Sequence, residues 1–339
     1  MPNRLPRIAI NGFGRIGRAL ARIALADTTP TFDIVAINDL SSPDSLRYLL
    51  QYDSTHRKLR DRVDLVDGVL KVGRLNMRIV READPAKLPW AELGVDVVVE
   101  STGRFRTRTA AAGHLVAGAR RVVLSAPGDG KDAPDATVVY GINHGDVKPE
   151  HTVISAASCT TTCLAPVAKA LDEAFGLVCG TMTTVHSYTN DQVVLDVVHK
   201  DWRRGRACAQ NIIPSSTGAA KAIGLVLPQL AGKLQGGAMR VPTADVSLID
   251  LVVVSRETAT VETINAALRG AAESLLPGTL RIEDDPVVSS DLIGDPTGSI
   301  VDSELTSVVG GNLIKVVSWY DNEWGYANRL YALLEALAS

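Results

Sequence analysis

Cysteine is scarce, with four residues in a chain of 339. That is too few to staple so long a chain, so a disulfide-built secreted scaffold is excluded and reduced thiols are expected. An excess of charge of one sign is also missing. A formal net charge of −3 gives no reason to expect nucleic acid or an anionic membrane as partner. No stretch approaches the ~20 apolar residues that span a bilayer. The opening MPNRLPRIAI lacks the apolar run and small-residue cleavage site of a signal peptide. No repeat or low-complexity segment stands out. What remains is an ordinary composition, 46% apolar and 22% charged, long enough for two domains with buried cores. A cytoplasmic location is the expectation.

The first half carries an alternating pattern. RIAIN at 7–11 reads as a buried parallel strand and runs directly into GFGRIG. Gly12, Gly14 and Gly17 then stand in G-x-G-x-x-G spacing. A helical stripe of Ile16, Ala19, Leu20, Ile23 and Ala24 follows, then a second strand, FDIVAIND, at 32–39. Gly12 permits the tight turn, Gly14 lets backbone approach a pyrophosphate, and Gly17 lets helix and strand pack closely. The helix N-terminus offers free N–H groups to phosphate oxygens. Asp39, at the end of the second strand, suits a ribose hydroxyl and repels a 2′-phosphate, which favours NAD over NADP. Further strands are expected in VDVVVES (95–101), RVVLSAP (121–127) and TVVYGIN (137–143). LVDGVLKVGRLNMRIV (65–80) reads as an inserted hairpin turning at Asp67-Gly68.

Two of the cysteines sit in ISAASCTTTCLAP, 154–166. The apolar positions Leu164, Val167, Ala168, Leu171 and Phe175 form a helical stripe, and Ser158 is a good N-cap. Cys159 therefore falls in the first turn, where unpaired N–H groups and the helix dipole favour a thiolate. Cys163, one turn on, is expected to be packed. Pro166 raises the expectation of a kink or an irregular first turn. His186 ends the strand-like part of GTMTTVHSYTNDQ, and a base near a thiol is what nucleophilic catalysis requires.

Read together, INGFGRIGR, SCTTTCLAP, HSYTNDQ, IIPSSTGAAKAIG, AMRVPT and SWYDNEWGYANR resemble the phosphorylating glyceraldehyde-3-phosphate dehydrogenases, from residue 7 to about 332. The resemblance implies an α/β Rossmann-type NAD-binding domain over 1–157 plus 322–339. It implies an α+β catalytic domain over 158–321, built on a mixed, largely antiparallel sheet. It implies oxidation of glyceraldehyde 3-phosphate through a thiohemiacetal and a thioester on Cys159, with His186 as base and inorganic phosphate as acceptor. Cofactor contacts would come from Asn11, Gly12, Phe13, Gly14, Arg15, Ile16, Gly17, Asp39, Arg81, Ser125 and Asn322. Thr189 and Arg240 would hold the substrate's phosphate. Ser158, Thr160, Thr217, Gly218 and Arg204 would hold the attacking phosphate. No metal is implied, and the assembly would be a homotetramer.

Departures from the family pattern are few. Ala156 and Thr162 each stand where an asparagine is usual. Val197 and Val198 replace a Leu-Pro common in NAD-preferring members, which leaves room for some NADP use. Arg57 stands where glycine is common. Two other readings stay open on the sequence: erythrose-4-phosphate dehydrogenase and a catalytically weakened NAD-binding paralogue.

Overall fold

The computed structural model describes residues 4–338. The chain divides into two compact units. The first holds residues up to Val138, His144–Ala157 and the segment from Leu330. The second holds Val139–Asn143 and Ser158–Arg329.

The first unit is built on a nine-stranded sheet. Its order is β3 (Asp64–Val66), β4 (Val69–Val72), β5 (Leu75–Val80), β2 (Asp33–Asn38), β1 (Arg7–Asn11), β6 (Val97–Glu100), β7 (Arg121–Leu124), β9 (Val153–Ser155) and β8 (Ala136–Thr137). From β5 onward every neighbour pair is parallel. Such strands are buried on both faces, which is why they read as continuous apolar runs. Ile8, Ala9 and Ile10 have no exposed surface, nor do Val98 and Val99. Chain order reverses between β1 and β6, the switch point where open α/β sheets bind ligands. Helix α1 (Arg15–Ala26) follows β1 and buries Leu20 and Ala24 completely. Helices α2 (Pro43–Gln51), α3 (Arg108–Ala111) and α4 (Gly113–Val116) belong to the same unit.

Two expectations need correcting here. The turn at Asp67-Gly68 forms, with both residues at positive φ (51° and 74°) as a tight two-residue hairpin requires. The third strand of that stretch, however, pairs in parallel with β2, so the stretch extends the main sheet rather than standing as an insertion. TVVYGIN is not a full strand. Only Thr137 joins the sheet, and from Val139 to Asn143 the chain belongs to the second unit.

The second unit has a seven-stranded sheet: β11 (Ile213–Ser216), β12 (Leu234–Val241), β10 (Leu177–Ser187), β13 (Ser247–Ser255), β16 (Leu313–Tyr320), β15 (Ile300–Val309) and β14 (Arg281–Glu283). The β10–β12 and β14–β15 pairs are parallel and the other four antiparallel. The sheet is therefore mixed and largely antiparallel. Burial alternates strictly along β13, leaving one face for helices. Helix α5 (Cys159–Phe175) packs on that sheet beside α6 (Ala219–Val226) and α7 (Val261–Ser274). It runs unbroken through Pro166.

The last helix, α8 (Trp324–Ala338), returns to the first unit at Leu330 rather than at 322. The physical reason lies in what holds residues 322–329. Asn322 accepts from Ser187 and Ser247, and Arg329 donates to the Pro277 carbonyl, all in the second unit. Beyond that point Tyr331 bonds Asp27 at 2.6 Å and packs its ring, tilted by 46°, against Phe32.

Candidate active site

Ser158 caps α5, its hydroxyl accepting the Thr161 N–H at 3.1 Å, so Cys159 opens the helix. His186 reaches it from the end of β10, with Nε2 3.5 Å from the Cys159 Sγ. The parallel register of β10 and β12 sets His186 directly beside Arg240. Arg240 Nη1 lies 2.7 Å from the His186 Nδ1 and 3.0 Å from the Ser187 carbonyl, itself 2.8 Å from Nδ1. Nδ1 can accept from Arg240 or donate to Ser187, but not both at once. The Tyr320 hydroxyl bridges the hydroxyls of Thr160 and Thr184, at 2.8 Å each, and its ring stands edge-on to His186.

The helix terminus does not by itself make Cys159 a thiolate, contrary to the expectation from its position. Burial pushes the thiol up, and the nearby Arg240 charge opposes that only in part. Burial, reinforced by Arg240, holds His186 down to about 3. Neither group ionises alone. Moving the Sγ proton to the imidazole creates two opposite charges 3.5 Å apart, whose attraction, about 5 kcal/mol at an effective dielectric constant of ~20, offsets part of the burial cost on each. Each then supplies the counter-charge the other lacks. Cys163 is fully buried, contacts Ser299 and Ser318, and is pushed up to about 12 by burial, so it is inert.

The anion-binding candidates sort into held and available groups. Arg204 is no solvated charge: it pairs with Asp191 and Asp201 and donates to the Ser216 carbonyl. Thr217 Oγ1 accepts the Ala219 N–H at 3.2 Å, and Gly218 is the N-cap of α6. Thr189 is tied through its N–H and hydroxyl to Gln192. Thr160 is 4% exposed and its hydroxyl is taken by Tyr320. Asn322 Oδ1 accepts from the hydroxyls of Ser187 (2.9 Å) and Ser247 (2.7 Å), which leaves its amide NH₂ end to donate. Thr162 and Ala156 leave the helix start intact. Thr162 keeps the Ser158 carbonyl bond and packs toward Gly298, while Ala156 is buried and bonds Leu124.

The first unit holds a separate cavity of about 290 Å³ at the switch point. Asn11, Gly12, Gly14 and Asp39 line it. Gly12 has φ +92°, and a Cβ there would lie 2.7 Å from the Thr102 nitrogen. The space over Gly14 is open, so backbone is presented directly to a ligand. The Asp39 carboxylate accepts the Phe13 and Ser41 N–H groups at 2.9 Å. Burial works against its ionisation, but these donors outweigh burial and hold it below the usual range. Cradle and acid fit a dinucleotide with an unphosphorylated ribose.

Phe13 contributes backbone alone, its ring being core. Arg15 pairs with Asp53. Arg15, Ile16, Gly17, Arg81 and Ser125 lie outside the cavity wall. Arg81 donates to the Leu40 carbonyl and Ser125 to that of Glu100. Sequence reasoning missed Asn38 and Glu82, which do line it. Their signal was position, since each ends or follows a parallel strand.

Two family patterns match. The one described as glyceraldehyde 3-phosphate dehydrogenase, NAD binding domain, covers residues 6–108, and the corresponding C-terminal domain covers 158–322. The chain belongs to the glyceraldehyde-3-phosphate dehydrogenase family. Among its relatives, the glyceraldehyde-3-phosphate dehydrogenase of Geobacillus stearothermophilus is 52% identical, with 98% of each chain covered. That of Priestia megaterium is 53% identical, again over 98% of both chains. That of Thermotoga maritima is 52% identical over 98% of this chain and 99% of its own. The residues that line the first-unit cavity all fall within the stretch matched by the NAD-binding-domain pattern. Among the described residues no helix is long and apolar enough to cross a membrane.

Proposed function

We propose that Cys159 and His186 carry out the phosphorylating oxidation of D-glyceraldehyde 3-phosphate to 1,3-bisphosphoglycerate. Family membership supports the reaction, and the 3.5 Å approach of thiol and imidazole carries the residue assignment. The ionised Sγ attacks the aldehyde carbon and forms a thiohemiacetal. His186 takes the hydroxyl proton as hydride leaves that carbon, a general-base contribution of about 10²–10⁴ in rate. NAD, when bound, accepts the hydride. The carbon remains on Sγ as a thioester, which the phosphate oxygen attacks, releasing the acyl phosphate and the thiolate.

Arg240 and Thr189 are assigned to the substrate's phosphate. Drawing Arg240 toward that anion frees Nδ1 to donate to Ser187, which stabilises the imidazolium. Arg204, Thr217, Gly218 and Ser158 are assigned to the attacking phosphate. Thr160 offers only its backbone N–H there, because its hydroxyl is engaged. Asn322, whose Oδ1 is engaged by Ser187 and Ser247, would use its NH₂ to hold a nicotinamide carboxamide. Asp39 supports preference for NAD, with Val197 and Val198 leaving some NADP use. A cytoplasmic homotetramer completes the reading. It is supported by exposed apolar residues on the loop after β10, among them Val198 and Trp202.

Initial rates with the triose phosphate, with NAD or NADP and with or without phosphate, test substrate, cofactor and acceptor together. Cys159→Ser should abolish phosphate-dependent NADH formation and leave NAD binding intact. Surviving activity, or preference for erythrose 4-phosphate, would sink the assignment.

A further inference from the structure

The cofactor cavity rests on a buried polar row that the glycine motif does not account for. In the parallel register of the first sheet, Asn11 ends β1 opposite Asn38 of β2 and Glu100 of β6. All three are at most 5% exposed. Asn38 donates to Asn11 Oδ1 at 2.6 Å and accepts the Glu82 N–H at 2.9 Å. Asn11 donates to Glu100 Oε2 at 2.5 Å. The other carboxylate oxygen accepts the N–H of Thr102 at 2.8 Å and its hydroxyl. Asn11, Asn38, Glu82 and Thr102 all face the cavity.

A fourth donor to Glu100 comes from outside that wall. His114, on α4, has no exposed surface, and its Nε2 lies 3.1 Å from Glu100 Oε2. The Nε1 of the fully buried Trp90 lies 3.0 Å from His114 Nδ1. An indole nitrogen can only donate, so Nδ1 accepts and the ring proton sits on Nε2, aimed at the carboxylate. Asn11 and His114 are 3.4 Å apart because they are two donors sharing one acceptor. Glu100 thus has two donors on each oxygen, the arrangement a buried carboxylate needs.

We infer that His114 is a positioning residue for cofactor affinity. With its tautomer fixed by Trp90, it holds the Glu100 carboxylate, and through it the Thr102 turn and the Asn11 amide, in the geometry that receives the dinucleotide. Without the His114 donor, the carboxylate must rotate or recruit water, and both cavity residues bonded to it move as well. The inference rests on the NAD-site reading of the cavity.

The test is calorimetric titration of the full chain with NAD, beside Michaelis constants for NAD and the aldehyde and the thermal midpoint. His114→Leu should weaken NAD binding about tenfold, the effect of losing one charge-assisted bond. The aldehyde KM should stay within about twofold of wild type. His114→Gln places an amide donor near the Nε2 position and should restore binding to within about twofold. Trp90→Phe, which releases the tautomer, should weaken NAD about threefold and keeps the question open to test if the leucine variant does not fold. Wild-type NAD affinity in both His114→Leu and Trp90→Phe would overturn the inference. So would a glutamine variant as weak as the leucine one, or equal losses in both Michaelis constants, the mark of a merely structural histidine. Failure of the wild-type chain to bind NAD would instead sink the NAD-site reading.

Discussion

Arg57 had no account in the sequence, and its backbone now gives one. Its φ is +66°, in the left-handed region that costs a side-chain-bearing residue roughly 1–2 kcal/mol. The conformation is held by Arg22, a guanidinium 6% exposed that takes the carbonyls of Leu50, His56 and Arg57 at 2.8, 3.2 and 2.9 Å. Arg57→Gly keeps that carbonyl and removes the strain. It should raise unfolding stability by about 0.5–1 kcal/mol, net of glycine's extra chain entropy, read from the denaturation midpoint. A drop in the midpoint would show that the side chain contributes more than the strain costs. His186 makes a sharper case. Burial opposes charge on both partners, so the thiolate exists at neutral pH only while the imidazole accepts its proton. His186→Asn should cut turnover about 10²–10⁴-fold. It should also move the pH profile of Cys159 alkylation from a neutral plateau to a rise beginning above the ordinary thiol value of about 8.5. An unmoved profile would mean that another group ionises the sulfur.

At the scale of elements, Asp53 ties the segment after α2 to the start of α1. Its carboxylate caps the N–H groups of Thr55 and His56, each at 2.9 Å, and pairs with Arg15. Burial opposes ionisation, but the backbone donors and Arg15 win and hold it at about 2, below its unfolded value of 3.8. A depressed acid stabilises the fold above its unfolded pKa and loses that contribution as pH falls through the folded one. Asp53→Asn should therefore cost about 2 kcal/mol near pH 7, and its gap from wild type should begin to close below about pH 5. A gap that stays constant down to about pH 2.5 would refute the linkage.

The same scale shows what the sequence could and could not reveal. The β1–glycine–α1 turn and the capped start of α5 were legible because local pattern alone produces them. The cavity residues Asn38 and Glu82 were not, since strand register, not chain proximity, brings them together. TVVYGIN misled because apolar β-formers signal burial without saying in which unit the burial occurs. The Cys159–His186 approach needed β10 to end where it does, and no spacing rule gives that.

For the whole molecule, the tetramer proposed above rests on the segment after β10. Val194 is 76% exposed, Leu195 71%, Val198 98% and Trp202 89%. Yet the segment is not loose. Val193 bridges Ala207, Val197 donates to the Gly205 carbonyl at 2.9 Å, and Arg206 pairs with Asp196. A braced segment that shows this much hydrocarbon to water is shaped for cover by another chain. Covering such a side chain contributes about 1.5–3 kcal/mol each, whereas a charge buried there without a partner costs several. The double substitution Val198→Asp with Trp202→Glu should therefore lower the mass seen by light scattering from four chains toward two or one, with the thermal midpoint falling alongside. Because Val193–Arg206 also carries Arg204, the dissociated form should lose phosphate affinity while its NAD affinity falls less. A wild-type chain that runs as a monomer at micromolar concentration would remove the reason for this exposed surface and end the tetramer proposal.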